Sequence, residues 1–169
     1  MALPPPPPGW ARYLVASKFG MGRKFNVLDP TTEQLIYLAD GKVGVRPTCE
    51  VKDADGMVIY LVRGQMLAIP KRMAISDASG VQVAELKAKA FSPIKTRMTL
   101  TVPNGSPWQI EGSLMEKNYS ISRDGAPAAH ITQKWVTIRD RYTLDVAEGV
   151  DPALALAIVW AVDRWVERD

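Results

Sequence analysis

The residues in this chain with the clearest capacity for chemistry are cationic and recur along strand-like runs. Lys71 and Arg72 precede one such run, Lys87 and Lys89 share the polar side of the next with Glu85, and Lys95 and Arg97 open a third. If these runs are neighbours in a sheet, the six basic side chains meet on one outer surface. Clustered ammonium and guanidinium donors suit phosphate, and an arginine can fork two hydrogen bonds to a single phosphate group. The same pattern also suits an ordinary solvated sheet face, where Lys and Arg discourage edge pairing. A formal charge of +3 and a pI near 9.0 permit contact with an anionic membrane surface or with nucleic acid and require neither.

Other chemistries have little to build on. Cys49 and His130 are the single residues of their types. One cysteine excludes an intramolecular disulfide framework and points to a reducing, cytoplasmic setting. Cys49, in TCEVK, reads as a small packed residue, and His130, in AAHITQKW, shares strand parity with Thr132 and Lys134 on an expected exposed face. They fall on different strands, so no thiol–imidazole pair is indicated. Paired-histidine and cysteine-rich zinc sites are excluded by the counts, and no glycine-rich phosphate loop occurs. Asp53-Ala54-Asp55-Gly56 has the start of a calcium loop but lacks the later acidic ligands, so a hairpin turn is the better reading. Asp145 and Asp151 could approach a cation near the helix start, although capping accounts for Asp151. Trp10, Trp108, Trp135, Trp160 and Trp165 form no aromatic–basic stripe, which disfavours nucleic acid. The chain reads as a non-enzyme with no metal or cofactor.

The elements that would position the basic residues are short strands. Asp40-Gly41, Asp55-Gly56, Ser79-Gly80, Asn104-Gly105 and Asp124-Gly125 tolerate the positive φ angles of tight turns and read as hairpin corners. Looser connections are expected at Gly64-Gln65, Ser92-Pro93 and Gly112-Ser113. The strands between them begin with runs such as residues 13–17 and 24–28, include short runs at 43–46 and 136–139, and end with 142–146. Met98, Leu100 and Val102 alternate with Arg97, Thr99 and Thr101, the period-two signature of antiparallel sheet with one buried face. About a dozen strands would curl, and closure into a barrel removes the exposed edges.

The strand pattern stops at Val146. Asp151 suits a helix N-cap and Pro152 a first helical position. From Ala153 to Val162 every residue is apolar, so the helix lacks a polar face and must be buried on all sides or lie in lipid. A membrane span needs about 20 apolar residues, and this run is half that before Asp163 and Arg164 interrupt it. Its frequent alanines make it slim. The consistent arrangement is a helix threaded through a closed barrel, with no transmembrane span.

Residues 1–10, with Pro4 to Pro8, read as a flexible tail carrying a short polyproline II rod and no secretory signal. Residues 11–169 read as a single domain. The tail is also a candidate ligand for a proline-recognition protein.

A strand ending in TLDVAEGVD and followed at once by PALALAIVWAVDRW resembles the C-terminal signature of LURP-one-related proteins. The early segment YLVASKFGMGRKFNVLDP, with QLIYLAD after it, resembles that family's opening, and the likeness spans residues 11 to 167. The resemblance implies the fold shared with the tubby C-terminal domain and the phospholipid scramblases, a twelve-stranded barrel around a central hydrophobic helix. Tubby-type relatives bind membrane phosphoinositides through basic residues, while scramblases act on lipids and carry a calcium site with no convincing counterpart here. The expected role is therefore non-enzymatic binding of anionic phospholipids or phosphoinositides, peripheral to the membrane. The candidate residues are Lys71, Arg72, Lys87, Lys89, Lys95 and Arg97. The alternative is a protein-interaction scaffold that docks through its proline-rich tail.

Overall fold

The computed structural model describes residues 4–18, 23–44, 46–64, 72–87, 97–133 and 141–166. Six strands make the first half: β1 (Ala11–Lys18), β2 (Lys24–Leu28), β3 (Leu35–Lys42), β4 (Thr48–Asp53), β5 (Val58–Gly64) and β6 (Arg72–Asp77). Six more follow: β7 (Gln82–Lys87), β8 (Arg97–Thr101), β9 (Trp108–Ser113), β10 (Asn118–Arg123), β11 (Ala126–Thr132) and β12 (Arg141–Val146). Each pairs antiparallel with the next, and β1 pairs with β12 to close a barrel. The alternation in the sequence sets the inner wall. Val27, Val51, Val62, Ile75, Leu86, Leu100, Ile110, Ile121, Ile131 and Leu144 are all buried, and they come from β2 and from β4 to β12 around the ring.

The helix α1 (Pro152–Val166) fills this wall. Ala155 to Asp163 are buried without interruption, more than two turns, so every side of the helix meets protein. Asp151 caps it as expected: its Oδ1 accepts from the Ala153 amide at 3.0 Å and its carbonyl accepts from the Ala155 amide at 3.1 Å. Because odd-numbered strands all run one way, α1 starts at the end of the barrel that holds the β2–β3, β4–β5 and β6–β7 turns. It finishes at the end that holds the β3–β4 and β9–β10 turns. There the Trp160 indole donates to the Arg23 carbonyl at 3.1 Å, and Asp163 pairs with Lys117.

Several expectations need correction. Asp40-Gly41 is not a hairpin corner but lies inside β3, and the described residues of the expected run at 43–46, which are Val43, Gly44 and Arg46, are not strand but lie between β3 and β4. Glycine is required at 41 for a different reason. A Cβ there would meet the Arg23 carbonyl oxygen at 1.9 Å, whereas the bare amide donates to that oxygen at 2.8 Å. The corner before it is Asp29 to Gln34, which contains no glycine; Glu33 itself takes φ 57. Asp29 Oδ1 instead accepts from the amides of Thr31 and Thr32, an Asx turn. Gly112-Ser113 ends β9, and the connection is residues 114–117. The corners at Asp55-Gly56, Ser79-Gly80, Asn104-Gly105 and Asp124-Gly125 are turns, the last with φ 52 and 76. Gln65, Ser92-Pro93 and residues 136–139 lie outside the described residues.

The expected exposed face around His130 is also corrected. His130 is half-buried beside the Ser120 hydroxyl, 2.9 Å from its Nδ1, and Thr132 is buried. Leu14, Thr143 and Asp145 on the outer side of β1 and β12 are buried too, while Ala16 and Arg141 are half-buried. Arg12 holds Asp145 there with two charge-assisted bonds, Nε to Oδ1 at 2.7 Å and Nη2 to Oδ2 at 2.8 Å. The Arg12 guanidinium also contacts the Pro4 carbonyl, and the Trp10 amide donates to Pro7 at 3.0 Å.

Candidate anion-binding face

The barrel brings together those sequence-nominated cations that it describes. On the outer face, Arg72 in β6 stands directly opposite Lys87 in β7, and Lys87 is paired in register with Thr99 of β8. Arg97, two positions before Thr99, points outward from the same end of β8 and is 72 % exposed. Lys71, Lys89 and Lys95 lie outside the described residues. Carboxylates are interspersed: Glu85 lies 3.4 Å from Lys87 and 3.9 Å from Arg72, and Glu111 lies 3.4 Å from Arg97. Like charges directly opposite in a sheet are destabilising. Arg72 and Lys87 are such a pair, with one carboxylate shared between them. The enclosed Arg72 Nε has no hydrogen-bond partner among the described residues. An anion accepting from both exposed side chains would offset the repulsion between them.

A second cationic cluster was not found from sequence. Asp40, buried on the outer side of β3, collects Lys42 at 2.7 Å, Lys52 of β4 at 3.0 Å and Lys24 of β2 at 3.4 Å. Lys42 also reaches Glu50 at 3.3 Å. Burial alone would push the Asp40 carboxyl up. The hydrogen bonds from Lys42, Lys52 and Lys24 prevail and hold it well below the usual carboxylate range. The register that places Glu50 opposite Asp40, and Asp40 opposite Lys24, is what assembles the group. Strand parity was the available signal, and reading Asp40-Gly41 as a corner hid it.

The other end of the barrel carries a ring of carboxylate turns. Asp29, Asp53 and Asp77, each 24 residues after the last, occupy the same place in three successive hairpins. Asp53 accepts from the Asp55 and Met57 amides at 2.9 and 3.0 Å, and Asp77 from the Ser79 and Val81 amides at 2.9 and 3.0 Å. The hydrogen bonds lower the carboxyls of Asp29 and Asp77. Inside this mouth the Tyr60 hydroxyl donates to Asp151, and Tyr13 and Tyr37 pack 6.1 Å apart. Burial, the nearby Asp151 and the Tyr60 bond to it push these phenols up, so they remain neutral. Three carboxylate turns therefore gather around the start of α1, with Lys52 and Arg123 at the same end, and Lys24, Lys42, Arg72, Lys87 and Arg97 stand around its finish, with Glu50, Glu85 and Glu111 among them. That arrangement also complements the helix dipole.

Among the described residues, no group of three or more His, Cys, Asp or Glu side chains could hold a metal ion. Cys49 is fully buried, and burial pushes its thiol far up, so it is unreactive. No described helix is long and apolar enough to cross a membrane.

A twelve-stranded antiparallel barrel wrapped around a C-terminal helix defines the class of protein. The chain belongs to the LURP-one-related family, whose model matches residues 12–163. The X-ray structure of the Arabidopsis thaliana protein AT5G01750 is similar at a TM-score of 0.65, with 14 % identity over 92 % of this chain and 91 % of that one. At that identity the likeness shows the fold. The uncharacterized protein YxjI of Bacillus subtilis (strain 168) is 18 % identical over 153 residues, covering 79 % of this chain and 94 % of its own.

Proposed function

We propose that this protein binds anionic membrane surfaces reversibly and non-enzymatically, through the cationic end of the barrel that includes Arg72, Lys87 and Arg97. The observation that carries the reading is the distribution of charge along the axis. Lys24 and Lys42, and Arg72, Lys87 and Arg97, stand at one end with Glu50, Glu85 and Glu111 among them, while the Asp29, Asp53 and Asp77 turns occupy the other, so an anionic surface favours the first end. The directly opposed Arg72 and Lys87, with one carboxylate between them, form a focus for a phosphate group. Lys71, Lys89 and Lys95 are proposed to extend the same face.

Co-sedimentation with vesicles tests this. The protein should partition onto phosphatidylserine- or phosphoinositide-containing vesicles and not onto pure phosphatidylcholine, and salt should weaken the partition. Each basic residue near such a surface contributes about 1 kcal/mol. A variant carrying Arg72→Gln, Lys87→Gln and Arg97→Gln should therefore bind roughly 100-fold more weakly. Equal partition onto neutral and anionic vesicles would refute the proposal.

A further inference from the structure

Every turn at the end of the barrel where α1 starts lies within the described residues, and the inner wall of that mouth alternates two residue types. Tyr13 in β1, Tyr37 in β3 and Tyr60 in β5 share the inward parity of the buried Val15, Ala39 and Val62. On the strands between them, Asp29, Asp53 and Asp77 continue the inward parity of Val27, Val51 and Ile75. Tyr37 stands directly opposite Asp53, and Tyr60 directly opposite Asp77. Six neighbouring strands therefore present phenol and carboxylate in turn, and Asp151, at the start of the enclosed helix, joins them through the Tyr60 hydroxyl. The mouth is open to solvent. Val15, Ala39 and Val62, one inward position deeper, are fully buried, whereas the three tyrosines are half-buried and Asp151 is exposed. The first turn of α1 does not seal it, since Pro152 and Leu154 are half-buried as well.

Among the described residues, no cation serves these carboxylates. Of the basic residues at this end, Lys52 turns outward to Asp40 at 3.0 Å, Arg12 is held by Asp145 on the outer side, and Arg123 lies over the Trp108 ring at 5.6 Å. Asp29, Asp53 and Asp77 use Oδ1 on turn amides, and no described group bonds their Oδ2. The described carboxylates are not grouped as metal ligands, because aromatic rings stand between them. The cation that suits such a wall is larger than a metal ion and carries its charge on carbon groups that lie against ring faces. We infer that this mouth binds an alkylated ammonium group, with its methyl groups against Tyr13, Tyr37 and Tyr60 and its charge balanced by Asp53, Asp77 and Asp151. Tyr13 and Tyr37, 6.1 Å apart and tilted by 58°, offer two ring surfaces at an angle. The site lies at the opposite end from Arg72, Lys87 and Arg97 and does not depend on the membrane-surface reading.

Chemical-shift titration of the isotope-labelled full chain tests this with choline, tetramethylammonium and the neutral alcohol in which carbon replaces the nitrogen of choline. Both cations should move the amide resonances of Tyr37, Asp53, Tyr60 and Ala153, and the neutral alcohol should bind roughly tenfold more weakly. Asp53→Asn keeps an oxygen for the turn amides and removes the charge, while Tyr37→Leu removes a ring face. Each should weaken choline roughly threefold and the two together roughly tenfold, with Tyr37→Phe unchanged. A thermal transition like the parent's establishes that a variant is folded, and if Tyr37→Leu does not fold, Asp53→Asn decides. Weaker binding of phosphocholine than of choline supports a free cation as the ligand, and equal binding supports a lipid headgroup at the same site. If choline leaves the mouth resonances unmoved, if the neutral alcohol binds as tightly, or if folded Asp53→Asn binds choline like the parent, the inference is wrong.

Discussion

Replacing Gly41 with alanine sets a methyl group 1.9 Å from the Arg23 carbonyl oxygen and 2.8 Å from the Arg23 nitrogen and carbonyl carbon. Ordinary contact needs roughly 1.5 Å more, and the obstacle is backbone with no rotamer to yield. That carbonyl accepts from both the Gly41 amide at 2.8 Å and the Trp160 indole at 3.1 Å, so moving it strains both bonds. Each is worth about 1 kcal/mol, and a buried donor left without a partner costs about 1 to 3 kcal/mol. Overpacking adds about 1 to 3 kcal/mol. The expected loss is roughly 3 to 5 kcal/mol, a large share of the 5 to 15 kcal/mol typical of a domain. Urea unfolding followed by tryptophan fluorescence should show the midpoint falling with an unchanged slope. Gly80→Ala is the control: φ is +91 with nothing within 4 Å of the new Cβ, so only backbone strain, about 1 to 2 kcal/mol, applies. If Gly41→Ala loses no more stability than Gly80→Ala, the close-approach reasoning is wrong.

Ile158 is fully buried in the part of α1 enclosed on every side, so Ile158→Asp should leave no soluble folded protein; a cooperative thermal transition in the variant would contradict a core role. Asp40 gives a pH dependence of definite sign. Its folded pKa is depressed by Lys42, Lys52 and Lys24, so its contribution is present above the unfolded value near 3.9 and is lost as pH falls from there towards the folded value. Asp40→Asn should be less stable than the parent at pH 7, and the gap should narrow as urea midpoints are taken below about pH 4. A constant gap would show that the carboxylate's charge is not what stabilises that cluster.

Much of the architecture is legible in the residue order. Period-two alternation in runs such as Met98 to Val102 places one side of each strand inside, and an apolar stretch from Ala153 to Val162 with no polar side demands enclosure. A closed barrel satisfies both at once, because it provides an inner face for every strand and a surround for the helix. These conclusions depend on local periodicity and on run length, which are properties of the chain itself. The nominated cations Arg72, Lys87 and Arg97 were reachable in the same way, since their outward parity belongs to single strands.

Register and close approach were decided only by the tertiary structure. Asp40-Gly41 carries a turn dipeptide, yet Gly41 is there because the Arg23 backbone passes within bonding distance from another strand. Three lysines from three strands converge on Asp40, and two carboxylates temper the face formed by Arg72, Lys87 and Arg97, only after the strands are aligned. A one-residue slip would turn each of those side chains to the opposite face. The gathering of the Asp29, Asp53 and Asp77 turns at one rim arises likewise from the alternating direction of twelve strands, which brings every second turn to the same end. The sequence by itself determines that there is a barrel with a helix inside it. Which charges meet, and at which end, is determined by strand alignment, because alignment depends on long-range pairing that no local pattern encodes.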